Sequence, residues 1–330
     1  MKLIVNIPAY NEEAKLGETI KRIKKSFDLP FYSQEGSAIT EKLIQVVNDG
    51  STDKTEEIAR RAGADLILNR PKKEVPRNTV GAAFKSGVDN ALEKGVDFFV
   101  NIDADGQFNP DDIPKLLFPI VGQTADIVVA NRFGEKEAED IPWIKDFLNR
   151  FAAGVIGFFL GSKIDDLTCG FRAFNREALL RLNLASIFTY TQESIIDAIG
   201  KNMKIKWVPV IVTYYVNRKS KMTKSIWKFI SNSFKIILKA VRDVRPLKFF
   251  GWPGLFLICL GLFGFLLFLF HYIQGLEIRP YLNYVIFSSI SMLFGIQLLI
   301  FALIADMIKS NRQLTEEMFY QWKKDKYDQK

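Results

Sequence analysis

Two stretches of this chain, Gly251–Tyr272 (GWPGLFLICLGLFGFLLFLFHY) and Tyr284–Ala305 (YVIFSSISMLFGIQLLIFALIA), contain no Asp, Glu, Lys or Arg. As helices of this length, each spans roughly 33 Å, enough to cross a hydrocarbon core about 30 Å thick. Neither has the polar stripe that a helix on a soluble core turns to water. Both are expected to be transmembrane helices. Residues 273–283 between them carry Glu277 and Arg279, whereas Arg242, Arg245 and Lys248 precede the first and Lys309 and Arg312 follow the second. The positive-inside rule then puts both termini and the first part of the chain in the cytoplasm. The opening MKLIVNIPAYNE has the pattern of a strand and not of a secretory leader, so no signal peptide is expected.

With 330 residues, 48% hydrophobic and 25% charged, there is room for one globular domain beside this hairpin. The net charge of +8 comes with no zinc-ligand spacing and no nucleic-acid-binding motif, so the expected basic-surface partner is anionic membrane lipid and not nucleic acid. Cys169 falls in the polar part and Cys259 inside an apolar run, so no disulfide is expected.

Before the hairpin, short apolar runs alternate with amphipathic stretches. LIVNIP, LIQVVN, ADLILN, DFFVNI and ADIVVA read as strands, and helical patterns begin near Glu12, Asp53, Thr79 and Pro110. That alternation predicts an α/β domain with a mostly parallel sheet, whose functional loops sit at the carboxyl ends of the strands. Leu29–Lys42 interrupts it and reads as an exposed insertion. Further on come a helix over Trp143–Leu160, a polar loop over Asp165–Arg172, a helix from about Tyr190 to Lys201 and a strand around Trp207–Tyr215. From Thr223 to Arg245, cations at positions 224, 228, 235, 239 and 242 alternate with apolar residues, the pattern of a basic amphipathic helix on a membrane surface. A solvated helix packed on the globular domain is the alternative.

The chemistry concentrates at strand ends. In DADGQ, Asp103 and Asp105 follow a strand two residues apart and can offer hard oxygen ligands to Mg2+ or Mn2+. Such a metal would neutralise a leaving diphosphate. Alone, such a pair is more often just a turn. PAYNE (Pro8–Glu12) ends the first strand, and NDGSTD (Asn48–Asp53) ends the next, with Asp49 an acceptor for base or ribose donors and Ser51 or Asp53 a helix-capping residue. VGAAFKSG carries Gly81 and Gly87, small residues that suit a helix approaching either a ligand or another element closely.

In this order, with NRF (Asn131–Phe133), DLTCGFRAF (Asp166–Phe174), RKSK (Arg218–Lys221) and the apolar pair, the chain resembles family 2 inverting glycosyltransferases of the Rossmann-like GT-A fold. Within them it is most similar to the polyprenyl-phosphate sugar synthases. The resemblance implies that Pro8, Tyr10, Glu12, Asp49, Ala104, Arg218 and Lys221 hold a nucleotide-sugar together with Asp103 and Asp105. Asp103, Asp105 and Gln107 would surround Mg2+ or Mn2+. Arg132 would meet the phosphate of a dolichyl or undecaprenyl acceptor, with Lys145 and Asn149 beside it, and Glu193 would organise the acceptor site. Asn48 stands where the family commonly has Asp, and RKSK lacks a frequent glycine spacer. The expected organisation is a catalytic domain over 1–221, an amphipathic helix over 222–246, a transmembrane hairpin over 247–308 and a charged tail over 309–330. Gly254, Gly261 and Gly264 would permit close helix contact, self-association into a homo-oligomer included.

A phosphate acceptor suits a site without an evident general base. A phosphomonoester has a second pKa of about 6, so it arrives mostly dianionic at neutral pH, whereas a hydroxyl must lose a proton. The chain also lacks the QxxRW motif of processive synthases. A lipid hydroxyl as acceptor, and a non-catalytic donor-binding subunit, are the competing readings.

Overall fold

The computed structural model describes residues 1–33, 39–70, 80–134, 143–183, 190–213, 238, 242–275 and 279–328. The chain forms two compact units, one of Met1–Ile237 with Met318–Lys330, the other of Leu238–Glu317.

The first unit is built on a seven-stranded sheet ordered β3-β2-β1-β4-β6-β5-β7. Its strands are β1 (Lys2–Ala9), β2 (Glu41–Asn48), β3 (Leu66–Asn69), β4 (Phe98–Asn101), β5 (Ile127–Asn131), β6 (Arg172–Asn175) and β7 (Ile205–Pro209). β1 pairs in parallel with β2 and β4, β2 with β3, and β5 with β7. Leu3, Ile4, Val5 and Ile7 of β1 are all fully buried although successive side chains point to opposite faces, which identifies a sheet covered on both sides. The covering helices are α1 (Leu16–Ser26), the single turn α2 (Pro30–Ser33), α3 (Thr55–Arg61), α4 (Val80–Glu93), α5 (Ile113–Val121), α6 (Trp143–Leu160), α7 (Arg176–Arg181) and α8 (Thr191–Gly200).

β6 interrupts the parallel order, running antiparallel between β4 and β5. Its four residues begin with an arginine, so no apolar run announces it. The expected loop therefore ends earlier than its sequence suggests, because Arg172 is already in the sheet and fully buried. The stretch expected as an exposed insertion is also partly structural. Pro30–Ser33 forms a helical turn, Tyr32 and Ile39 are buried, and β2 starts at Glu41. Gly87 settles the small-residue pattern on α4: a Cβ there would come within 2.4 Å of Asn6 Oδ1, so the glycine lets the helix lie against a buried amide of β1.

The second unit holds α9 (Pro246–Ile273) and most of α10 (Leu282–Asp328), two helices long and apolar enough to cross a membrane. They pack through small residues. A Cβ on Gly254 would meet Gly295 O at 2.9 Å, and one on Gly261 would meet Ser288 O at 2.7 Å. Gly254, Gly261 and Gly264 thus bring the two backbones together inside the hairpin, as small residues do in membrane helix pairs.

The segment expected as a tail is helical to Asp328, and from Met318 onward it belongs to the first unit. Tyr320, Lys323 and Tyr327, spaced three and four apart, share one face. Tyr320 donates to Glu177 Oε2 at 3.0 Å, beneath the Arg181 guanidinium 4.2 Å from its ring. Lys323 donates to the carbonyls of Leu180 and Leu182 and to Asn183 Oδ1. It supplies donors to carbonyls at the end of α7, where a helix runs out of its own. Arg176 closes the contact on Tyr327 O and Asp328.

Candidate active site

The carboxyl ends of β1, β2, β3, β4 and β5 form one edge, from which PAYNE, NDGSTD, DADGQ and NRF leave, and DLTCG leads into β6 from the same edge. The first two loops are laced together. Asn11, at φ 53°, donates its backbone N–H to Ser51 Oγ at 3.0 Å, and its side chain accepts from Thr52 N at 2.8 Å. Glu12 N donates to Thr55 Oγ1 at 2.9 Å, and Glu13 N to Asp53 Oδ2 at 3.2 Å. Asp53 also accepts from Thr55 N at 3.0 Å. Although its partial burial opposes ionisation, hydrogen bonds from Thr55 and Glu13 hold its carboxyl below the usual range. Asp53 is therefore a tie between loops; the N-cap position of α3 falls on Lys54 and not on Asp53, and Pro8, Tyr10 and Glu12 stand on a braced turn.

Asp49, nearly buried, pairs with Arg70 at the end of β3. Arg70 escaped the sequence reading because it follows a strand with no motif around it. Asn48 bonds Asn69 across the two strand ends at 2.9 Å and accepts from Ser51 N at 3.1 Å, so the residue in place of the usual Asp shapes the turn.

DADGQ leaves β4. Gly106 sits at φ 72°, the left-handed region that favours glycine, and Asp105 Oδ1 accepts from Gln107 N at 3.1 Å. Ala104, buried, offers its carbonyl to Thr19 Oγ1 at 3.2 Å, pinning the loop to α1. Gly170 of the DLTCG loop lies against Asp103: a Cβ there would be 3.1 Å from Asp103 Oδ1. Thr213 N donates to Gln107 O at 3.0 Å and Phe108 bridges Val212, so the segment after β7 is tied to the Asp loop. Arg218 and Lys221 themselves lie outside the described residues. So does most of the expected amphipathic helix.

Arg132 follows β5 and is held as a fork. Nε donates to Asp166 Oδ2 at 2.7 Å, and Nη2 to Asp166 Oδ1 at 2.9 Å and Thr168 Oγ1 at 2.6 Å. Asp166 has no exposure and also accepts from Thr168 N and Cys169 N. The arginine expected at the acceptor phosphate is thus oriented by a buried carboxylate from the next motif. Lys145 and Asn149 are on α6, and their side chains lie outside the described residues.

Glu193 is in the first turn of α8, half-buried. Beneath that turn, Arg172 donates to Cys169 O at 2.8 Å, Leu167 O at 3.2 Å and Ser194 Oγ at 2.6 Å. A fully buried guanidinium is costly unless its donors are matched. Here they clamp the DLTCG loop to α8, and burial lowers the Arg172 pKa. Burial pushes the Cys169 thiol up to about 12, so it is no thiolate nucleophile. Both cysteines are free.

Among the described residues no group of three or more His, Cys, Asp or Glu side chains could hold a metal. Asp103, Asp105 and Gln107 carry oxygen donors of the hard type that suits Mg2+ or Mn2+.

Known proteins resemble this chain. UDP-N-acetylglucosamine–dolichyl-phosphate N-acetylglucosaminyltransferase of Methanococcus voltae is 31% identical over 63% of this chain and 84% of its own length. Polyprenol monophosphomannose synthase of Mycolicibacterium smegmatis is 29% identical over 68% of this chain and 82% of its own. Glucosyl-3-phosphoglycerate synthase from Mycobacterium tuberculosis, solved with Mn2+, UDP-glucose and phosphoglyceric acid, superposes with a TM-score of 0.55 at 23% identity, covering 73% of this chain and 79% of that one. That likeness confirms the GT-A-like sheet. Residues 4–182 match the glycosyl transferase family 2 profile, and the chain belongs to that family of glycosyltransferases.

Proposed function

We propose that this glycosyltransferase moves a monosaccharide from a UDP- or GDP-linked donor to a polyprenyl phosphate, with inversion and with a divalent metal, at the cytoplasmic face of a membrane. One observation carries the reading: a paired-carboxylate loop and an arginine oriented by a buried carboxylate lie at the same sheet edge. The relatives named for transfer to dolichyl phosphate and for polyprenol monophosphomannose synthesis support it.

In this reading Pro8, Tyr10, Glu12, Asp49 and Ala104 hold the nucleotide, and Arg70 pairs with Asp49 and aims it. Asp103, Asp105 and Gln107 would hold Mg2+ or Mn2+, which supplies positive charge to the departing diphosphate. Arg218 and Lys221 close over the same phosphates. Arg132, its plane fixed by Asp166 and Thr168, receives the acceptor phosphate, with Lys145 and Asn149 assisting. The acceptor oxygen is already ionised at neutral pH, so positioning and charge stabilisation suffice, and Glu193 organises the acceptor without taking a proton. The apolar pair and the basic segment over 222–246 keep the site at the depth of the lipid headgroup.

Purified full-length protein, given radiolabelled UDP- and GDP-sugars, a short polyprenyl phosphate and Mg2+ or Mn2+, is expected to form an acid-labile lipid-linked monosaccharide. An acid-stable glycolipid would move the acceptor to a lipid hydroxyl. No product across the panel, with donor bound, would overturn the reading.

A further inference from the structure

Polar side chains inside covered strands cost free energy unless each is matched. β1, β2 and β4 each carry one, Asn6, Gln45 and Asn101, all fully buried. Their amides run head to tail. Asn90 of α4 donates to Gln45 Oε1 at 2.6 Å, Gln45 Nε2 to Asn6 Oδ1 at 2.8 Å, and Asn6 Nδ2 to Asn101 Oδ1 at 2.7 Å. Asn101 Nδ2 then donates to the Tyr190 hydroxyl at 2.7 Å, which donates to Gly170 O at 2.9 Å. Every link points the same way, so each bond polarises the next.

Tyr190 is where this chain meets the site. Its ring stacks on Phe84, centroids 3.9 Å apart and planes within 3°, and the Arg172 guanidinium lies 5.7 Å from its centroid. A Cβ on Gly170 would be 3.1 Å from Asp103 Oδ1 and 3.3 Å from the Tyr190 hydroxyl, so the Gly170 backbone abuts both. Tyr190 also directly precedes α8, accepting from Ser194 N at 2.8 Å.

We propose that Tyr190 is a positioning residue for the Asp103 carboxylate: the amide chain fixes its hydroxyl, the hydroxyl fixes Gly170, and Gly170 bounds where the carboxylate can lie. The strands that carry PAYNE and NDGSTD are thereby registered with the DLTCG loop at one point. The inference rests on reading Asp103 as a metal ligand.

The test titrates the full-length protein in detergent with Mn2+ in the presence of UDP, then of GDP, reading bound Mn2+ by electron paramagnetic resonance. Tyr190→Phe keeps the ring and removes only the hydroxyl, and it is expected to weaken Mn2+ binding about tenfold, as loss of an orienting partner does. Gly170→Ala, whose Cβ presses on both Asp103 and the Tyr190 hydroxyl, should match or exceed that loss, and it decides the question should Tyr190→Phe not fold. Leu116→Ala, a truncation in the α5 core, is expected to lower the melting temperature and leave Mn2+ affinity unchanged. Parental affinity in both Tyr190→Phe and Gly170→Ala, or an equal loss in Leu116→Ala, overturns the proposal. Asp103→Asn separates the two readings. Undiminished Mn2+ binding there, or a parent that binds no Mn2+ with either nucleotide, removes the metal assignment; binding lost there but kept in Tyr190→Phe removes only the positioning role.

Discussion

The two halves of the sheet edge are held by different physics. On the β3-β2-β1 side, two loops that each follow their strand directly are laced by short side chains onto backbone amides: Ser51, Thr55, Asp53 and Asn11 each take one or two. On the β4-β6-β5 side the loops come from distant parts of the chain, and guanidinium groups join them: part-buried Arg132 on fully buried Asp166, and fully buried Arg172 on two carbonyls and a hydroxyl. Lacing distributes its stabilisation, about 1 kcal/mol per bond, so losing one bond is tolerated. A buried fork fails as a unit.

The largest effect should come at the proposed metal site on the loop after β4. Asp105→Asn is expected to lower kcat by about a thousandfold with melting temperature nearly unchanged, if metal charge contributes to departure of the diphosphate as electrostatic stabilisation commonly does; a loss below tenfold would take Asp105 out of that role. Next, Asp166→Asn leaves Arg132 without its buried counter-charge, and by chemical denaturation it should cost about 3 kcal/mol or more. By contrast, Ser51→Ala should cost about 1 kcal/mol. Equal costs would erase the distinction between lacing and fork.

A smaller effect sharpens the assignment of each half. Arg132→Lys is expected to raise the acceptor KM about tenfold through loss of the planar fork while the donor KM stays put, and Asp49→Asn should do the reverse. Steady-state kinetics with each substrate varied in turn decides it.

The smallest effect lies at the docked end of α10, beyond the apolar stretch. Burial lowers the Lys323 pKa to about 8; Asp89 and Asp197 pull it up, while Lys201 and Lys85 push it down. The folded state therefore holds fewer protons on this group than the unfolded chain, whose lysine titrates near about 10.4, and stability rises with pH between the two values. Thermal melts at several pH values across that window should show the wild type gaining on Lys323→Met; parallel curves would exclude the titration.

Much of the fold was legible because its signals are local. The α/β alternation, α6 over Trp143–Leu160 and the apolar pair follow from residue periodicity over short windows. Among site residues, DADGQ, PAYNE and NDGSTD stood out since each joins an apolar run to a polar turn. Arg70, Arg172 and Tyr190 did not, because what makes them matter is a partner far away in sequence. β6 was missed for the same reason: its four residues are a strand only because β4 and β5 lie on either side. The glycines of the hairpin were noticed for close helix contact, and their partners turned out to be in the same hairpin.

The sequence by itself determined the two apolar helices and the succession of strand-end motifs, since hydropathy and turn chemistry act over a few residues. Only the tertiary structure decided that Asp166 orients Arg132, that a line of buried amides ends at Tyr190 beside Asp103, and that the end of α10 returns to α7. Those depend on which strands become neighbours, and strand order is fixed by burial of the whole sheet rather than by any one segment.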